Sequence, residues 1–193
     1  FAHFVPKTNF IGLASFDFAV SNPDGSAMTN TMGLLVSVIY IPKNLVWVGD
    51  GSSNIWDTTN TADWFNGNNL VTFNTSDSVT FDDTGSASPA MNLPGGVAPG
   101  NINVLANQNY TFNGGAISGT GKLTKTGAGT LTLNNANTFT GGTLLQNGNI
   151  IIGSGGNIGT GPITFQNTTI ISGYGPTTAY TLAHRHPSYV FAT

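Results

Sequence analysis

Eight aspartates are the only acidic side chains in this sequence, glutamate is absent, and the last aspartate is Asp83. Asp77, Asp82 and Asp83 stand close enough in sequence to offer oxygen ligands to a hard cation. Their spacing lacks the alternating carboxylates and central Gly of a dedicated cation loop. Asp82-Asp83-Thr84-Gly85 reads more simply as a turn that ends a strand. Asp50, Asp57 and Asp63 are scattered through a Trp-containing stretch and take the same plain reading. His184 and His186 flank Arg185 and would point to one side of an extended strand, but the other imidazole, His3, lies at the far end of the chain. Zinc needs three or four ligands, and without cysteine the chain has no thiolates to supply them. A solvated tail is therefore expected there, and no metal or cofactor is expected elsewhere. Glycoside hydrolysis needs two positioned carboxylates, which the sequence after Asp83 cannot supply. A Ser-His-Asp arrangement finds no nucleophile elbow to build on.

Trp47, Trp56 and Trp64 are the residues with binding potential, because an exposed indole can stack on a sugar ring. Burial as core aromatics is the plainer expectation, with cell-surface glycans as the alternative partner. Gly119-Thr120-Gly121 and Gly127-Ala128-Gly129 lack the Lys-Ser/Thr pair and following helix of a phosphate loop. They read instead as corners between strands. Asn134, Asn135, Asn147 and Asn167 recur near a common interval and are expected to form an inward amide ladder; Asn137, read as a corner residue, should tolerate serine.

The elements that would position these residues are strands throughout. No sustained 3.6-residue periodicity occurs. Apolar residues recur instead at a nearly fixed interval, in one series through Ile102, Leu123, Leu144 and Ile163 and in another through Phe112, Leu131, Ile150 and Ile170. Two interleaved series of that spacing imply rungs of about 20 residues, each burying its apolar strand on the rung below. The expected fold is an all-β parallel solenoid over residues 100–173. The alternative is an all-antiparallel β-sandwich. Upstream, residues 1–43 read as strands of a β-sandwich-like segment, with Gly33 to Ile41 a return strand buried on both faces. Residues 44–99 form a Trp-containing β lead-in, and residues 174–193 lose the period and read as a cap or tail.

Charge narrows the partners. Five cations against eight aspartates leave a net charge of −3, and nucleic acid would require clustered Lys and Arg. No apolar run reaches the ~20 residues of a membrane-spanning helix, so no membrane span is expected.

Gly127-Ala-Gly-Thr-Leu-Thr-Leu133, followed by Asn137-Thr-Phe-Thr-Gly-Gly-Thr143, resembles the autotransporter-associated β-strand repeat, also called the passenger-associated transport repeat. Trp47, Gly49, Trp56, Trp64, Val79-Thr-Phe-Asp-Asp83 and Tyr110-Thr-Phe112 are similar to the lead-in before such repeats. The resemblance implies a right-handed parallel β-helix in a secreted or surface-displayed bacterial protein, where such repeats build stalks rather than active sites. More loosely, Val5-Pro6, Asn9-Phe-Ile-Gly12, Ser15-Phe-Asp-Phe18 and Val36-Ser-Val-Ile-Tyr40 resemble the end of a bacterial cadherin-like or immunoglobulin-like repeat.

The function expected is a non-enzymatic extracellular structural or adhesive module. The alternatives are a carbohydrate-binding module and a non-catalytic segment of a large secreted enzyme. Phe4, Phe10, Phe16 and Phe18 with Val36 and Val38 present more apolar surface than two or three strands can cover. Self-association into a homo-oligomer or filament through exposed strand edges is expected to follow.

Overall fold

In the computed structural model the described residues are 10–88, 90–153, 155–166 and 170–173, with 16–21, 27–33 and 170–173 described at the backbone alone. The chain divides into two compact units, Phe1–Ile41 and Pro42–Thr193. No helix occurs among the described residues, so none is long and apolar enough to cross a membrane.

The first unit contains a hairpin. Strands β1 (Gly12–Ser21) and β2 (Ala27–Val38) pair antiparallel, from Gly12 opposite Val38 to Ser21 opposite Ala27. The turn between them is built by Asn22-Pro-Asp-Gly25-Ser26, where Asn22 and Ser26 bond through their backbones and Asp24 accepts from Ser26 N and Oγ. Among the described residues of this unit these two strands are the whole sheet. The return strand is not buried on both faces: Leu34 and Leu35, which point to opposite faces, are 55% and 64% exposed. Among the described residues of this unit no second layer packs on the hairpin.

The second unit is a β-solenoid of about four turns, each of about 21 residues. Its first side stacks β3 (Asn44–Trp47), β6 (Ser78–Phe81), β8 (Ile102–Val104), β10 (Leu123–Lys125), β13 (Thr143–Leu145) and β16 (Ile163–Phe165), every neighbouring pair parallel. The second side stacks β7 (Met91–Leu93), β9 (Tyr110–Gly114), β11 (Thr130–Leu133), β14 (Asn149–Ile152) and β17 (Ile170–Gly173), again parallel. A short third side carries β12 (Ala136–Asn137) paired to β15 (Asn157–Ile158), with Val97 bridged to Ile117 on earlier rungs. This parallel pairing overturns the antiparallel-sandwich alternative. Parallel ladders place equivalent residues of successive rungs one above another, so an apolar side chain at one inward position meets its counterpart below.

Register corrects both apolar series. Leu123 stacks on Ile102 and under Thr143, and Thr143 stacks under Ile163. Leu144 therefore faces outward, one residue off the expected column, because the step from β10 to β13 is 20 residues rather than 21. In the second series Leu131 pairs with Ile150 as expected, but its upstream partner is Tyr110, and Phe112 stacks on Leu133. Ile150 goes on to Ile171 rather than Ile170. A one-residue change in a turn moves a side chain to the opposite face, since strand periodicity is two. Thr143 is tolerated inside because its hydroxyl donates to Ile158 O at 3.2 Å.

The parallel stack also begins further upstream than the period alone indicates. Leu45 lies under Val79, and Val79 under Ile102. Residues 48–75 intervene as an insertion that closes the upstream end. Within it β4 (Trp64–Phe65) turns antiparallel against β3, and β5 (Leu70–Val71) antiparallel against β4. Ile55 meanwhile bridges to Asn92 and covers the upstream edge of the second side.

Candidate functional site

The three tryptophans that could have stacked on a ligand are the plug of this closed end. Trp47, Trp56 and Trp64 each have 0% exposure, as do Phe73 and Phe81 around them. Trp47 and Trp64 meet edge-on at 4.9 Å, Trp56 and Trp64 at 5.3 Å, and Trp56 and Phe73 at 5.6 Å. Edge-to-face geometry aligns ring edges with ring faces and adds to the value of burial. The indole N–H of Trp47 donates to Ser86 O at 2.8 Å, whereas those of Trp56 and Trp64 are buried and meet no acceptor. No ring face is left for a sugar.

The aspartates are used as turn staples. Asp77 is fully buried, and its carboxylate accepts from Lys43 N at 2.6 Å and Asn74 N at 2.9 Å, tying the first strand of the stack to the end of the insertion. Asp82 accepts from Thr84 N and Oγ1 within the turn after β6. Asp83 reaches the next rung, accepting from Asn107 N and Nδ2 and from Gln108 N. Its carboxyl is held below the usual range, first by the Gln108 amide and then by the Asn107 donors. Asp77, Asp82 and Asp83 thus turn to different partners. Among the described residues no three His, Cys, Asp or Glu side chains come together as a metal site. Asp50 organises its own loop, accepting from the backbone N–H groups of Ser52, Ser53 and Asn54 and from both serine hydroxyls. Asp63 is pushed up by burial and by the charges of Asp50 and Asp57, and its buried Oδ2 has no partner. His3 and the His184–His186 stretch lie outside the described residues, as does Phe4.

Amide side chains do bridge rungs, and of the expected set Asn135 turns inward, its Nδ2 donating to Gly115 O at 3.1 Å. Asn134 is exposed and donates outward to Asn113 Oδ1 at 2.8 Å. Asn147 is exposed, and Asn167 lies outside the described residues. The inward work is done by Asn135 and Asn137. Asn137 has 0% exposure; its Oδ1 accepts from Ile117 N at 2.8 Å, and its Nδ2 donates to Asn135 Oδ1 and Asn157 O. It adds to the backbone bonds of the third side and joins three rungs, so serine, contrary to the expectation from sequence, is too short to serve there. Asn101, Asn107 and Asn109 each accept from a backbone N–H 21 residues downstream.

One inward position holds a cation. Lys125 is fully buried in β10, between Val104 below and Leu145 above, and its Nζ donates to Gly127 O. Burial pushes its amine down to about 8. Strand alternation from Leu123 places residue 125 on the inner face, so the sequence carries the signal that would have found it. A shallow cleft of about 320 Å³, lined by Thr58, Thr75, Gly96, Ala98 and Ser118 among others, lies where the insertion meets the third side. It offers hydroxyls and backbone but no charge.

Of the candidate self-association residues, Phe10 is 38% exposed and Val36 and Val38 are half-buried. Phe16 and Phe18 lie in the part of β1 described at the backbone alone.

The rungs from β10 to β14, with their stacked apolar strands and tight glycine corners, are the segment that comparison with known families recognises. Residues 123–152 match the Passenger-associated-transport-repeat model. The match covers the buried Lys125, the Asn135–Asn137 pair and the Leu131–Ile150 stack. The passenger-associated transport repeat is a structural repeat of autotransporter passengers rather than a known catalytic family, and it points to a secreted or cell-surface bacterial protein. No curated protein and no solved structure gives a significant match to the chain.

Proposed function

We propose that this chain is a non-enzymatic structural module of a secreted or surface-displayed bacterial protein, serving as a stalk or spacer and associating with other copies through its hairpin. The observation that supports the reading best is the coincidence of the passenger-associated transport repeat with an uninterrupted parallel ladder from β3 to β16. Side chains that could do chemistry are spent on that ladder: Asp77, Asp83 and Asn137 all close backbone donors. A stack in which each rung supports the next gains rigidity along its axis without a pocket. The hairpin supplies the complementary property, a strand pair whose leucines stay in solvent. The buried tryptophans leave the carbohydrate-binding alternative without a platform. The test is protease shaving and antibody labelling of intact cells that make the protein. Labelling outside the cell, with release of the segment by protease, is expected; a wholly protected intracellular pool would overturn the reading.

A further inference from the structure

Three Asn-Gly pairs occur in the sequence, Asn66-Gly67, Asn113-Gly114 and Asn147-Gly148. An asparagine before glycine is open to ring closure, because glycine has no Cβ to obstruct attack by its nitrogen on the preceding side chain. The three are held very differently. We infer that Asn147-Gly148 is a self-modifying site, at which the Asn147 amide passes through a succinimide to aspartate or isoaspartate.

Asn147 is exposed, so water reaches it, and Gly148 sits in the left-handed region with φ of 72°. Gly148 N lies 2.9 Å from Asn147 Oδ1. The attacking nitrogen and the carbonyl it must attack are therefore already neighbours, which removes much of the entropic cost of closure. That N–H is turned to its own neighbour and not into the ladder between rungs, so attack costs the stack no backbone bond. Lys125 contributes as a positioning residue. Its Nζ lies 2.7 Å from where a Cβ on Gly148 would stand. A cation beside Gly148 favours loss of its amide proton.

The other two pairs are tied. Asn66 Oδ1 accepts from Asn68 N and Asn69 N, both at 3.0 Å, which turns its carbonyl away from Gly67. Asn113 Oδ1 accepts from Asn134 Nδ2 across the rungs, and Asn113 lies inside β9.

The chemistry balances with water as the only co-reactant. Gly148 N loses its proton and bonds to Asn147 Cγ; the Cγ–Nδ2 bond breaks, and the amide nitrogen leaves as ammonia carrying that proton. Water then opens the five-membered ring at one of its two carbonyls, giving aspartate by one route and isoaspartate by the other. Either product adds a negative charge at the corner beside Lys125. Isoaspartate also lengthens the backbone there, where the turn joins two stacked strands.

The test is peptide mapping by mass spectrometry, with isoaspartate detection, on the full chain incubated at neutral pH, where Lys125 keeps its proton, folded and in denaturant. Asn147 is expected to convert several-fold faster than Asn66 and Asn113 in the folded protein, with the three rates converging in denaturant. Lys125→Met should slow Asn147 alone, the other two pairs serving as internal standards. Equal or faster conversion at Asn66 or Asn113 in the folded state, or a folded rate at Asn147 below its denatured rate, would overturn the assignment. An unchanged Asn147 rate in Lys125→Met would remove Lys125 from it.

Discussion

Lys125 and Tyr110 give the solenoid opposite responses to alkali. The buried Lys125 amine is pushed down to about 8 from its ordinary 10.5, whereas burial pushes the Tyr110 phenol up to about 12 from 10.0. Between about 8 and 10.5 the unfolded chain holds the lysine proton that the folded chain has released, so stability rises with pH across that window. Above 10 the unfolded chain loses its tyrosine proton first, and stability falls again. Thermal melts followed by circular dichroism should therefore peak near pH 10. Lys125→Met should melt higher at neutral pH and lose the alkaline rise; a variant with an unchanged pH profile would refute the buried-cation account. Asn137 makes a second residue-scale case. Asn137→Ala strands the Ile117 N–H inside the stack, and an unsatisfied buried donor costs about 1–3 kcal/mol. A melt within error of wild type would mean that the amide does not carry the third side. Asn137 was illegible as a core residue because an asparagine beside glycine-rich corners has the composition of a turn. Only the stacked rungs reveal that its amide bonds to the rungs on either side.

At the scale of the rung, close approach decides which corners are glycine. A Cβ on Gly121 would lie 2.1 Å from Gly100 O, and one on Gly127 would lie 2.0 Å from Ala106 O. Backbone stands against backbone in this column, so no side chain can swing aside to relieve the contact. Gly121→Ala should cost about 1–3 kcal/mol or prevent folding. Gly95→Ala, which meets nothing within 4 Å and needs no positive φ, should stay within about 0.5 kcal/mol. Urea unfolding separates the two, and equal stability of both variants would contradict the stacked-corner geometry. The interval of the rungs was legible because Ile102, Leu123, Leu131 and Ile150 keep their inward places. The exact columns were not, since turns of unequal length exchange Leu144 for Thr143 without disturbing the apolar count. The upstream rungs were hidden for a related reason: the insertion at residues 48–75 separates Leu45 from Val79 and breaks the period that joins the later strands.

For the whole molecule, the two units make different use of apolar residues. The solenoid closes its upstream end on a cluster of tryptophan and phenylalanine with no exposed ring. The hairpin leaves Leu13 at 66% exposure and Leu35 at 64%. Leu13 pairs with Ser37 and Leu35 with Ser15, so both leucines stand on one face of the ribbon, while Leu34 stands on the other. An isolated two-stranded hairpin is marginal in water, and burying one such side chain is worth about 1.5–3 kcal/mol. Stacking on the hairpin of another copy would bury one face, and pairing along an edge would supply additional strands. Because the two faces differ, the contact need not be self-complementary, and a head-to-tail arrangement of that kind can continue as a fibre rather than close as a ring. Static light scattering over a concentration series should show association of the wild-type chain. The double variant Leu13→Lys with Leu35→Lys should remain monomeric, because like charges on one face oppose stacking. Its solenoid should melt as before, since neither residue belongs to the buried core of the second unit. A monodisperse wild-type monomer at high concentration, or a double variant that associates equally well, would refute assembly through the hairpin.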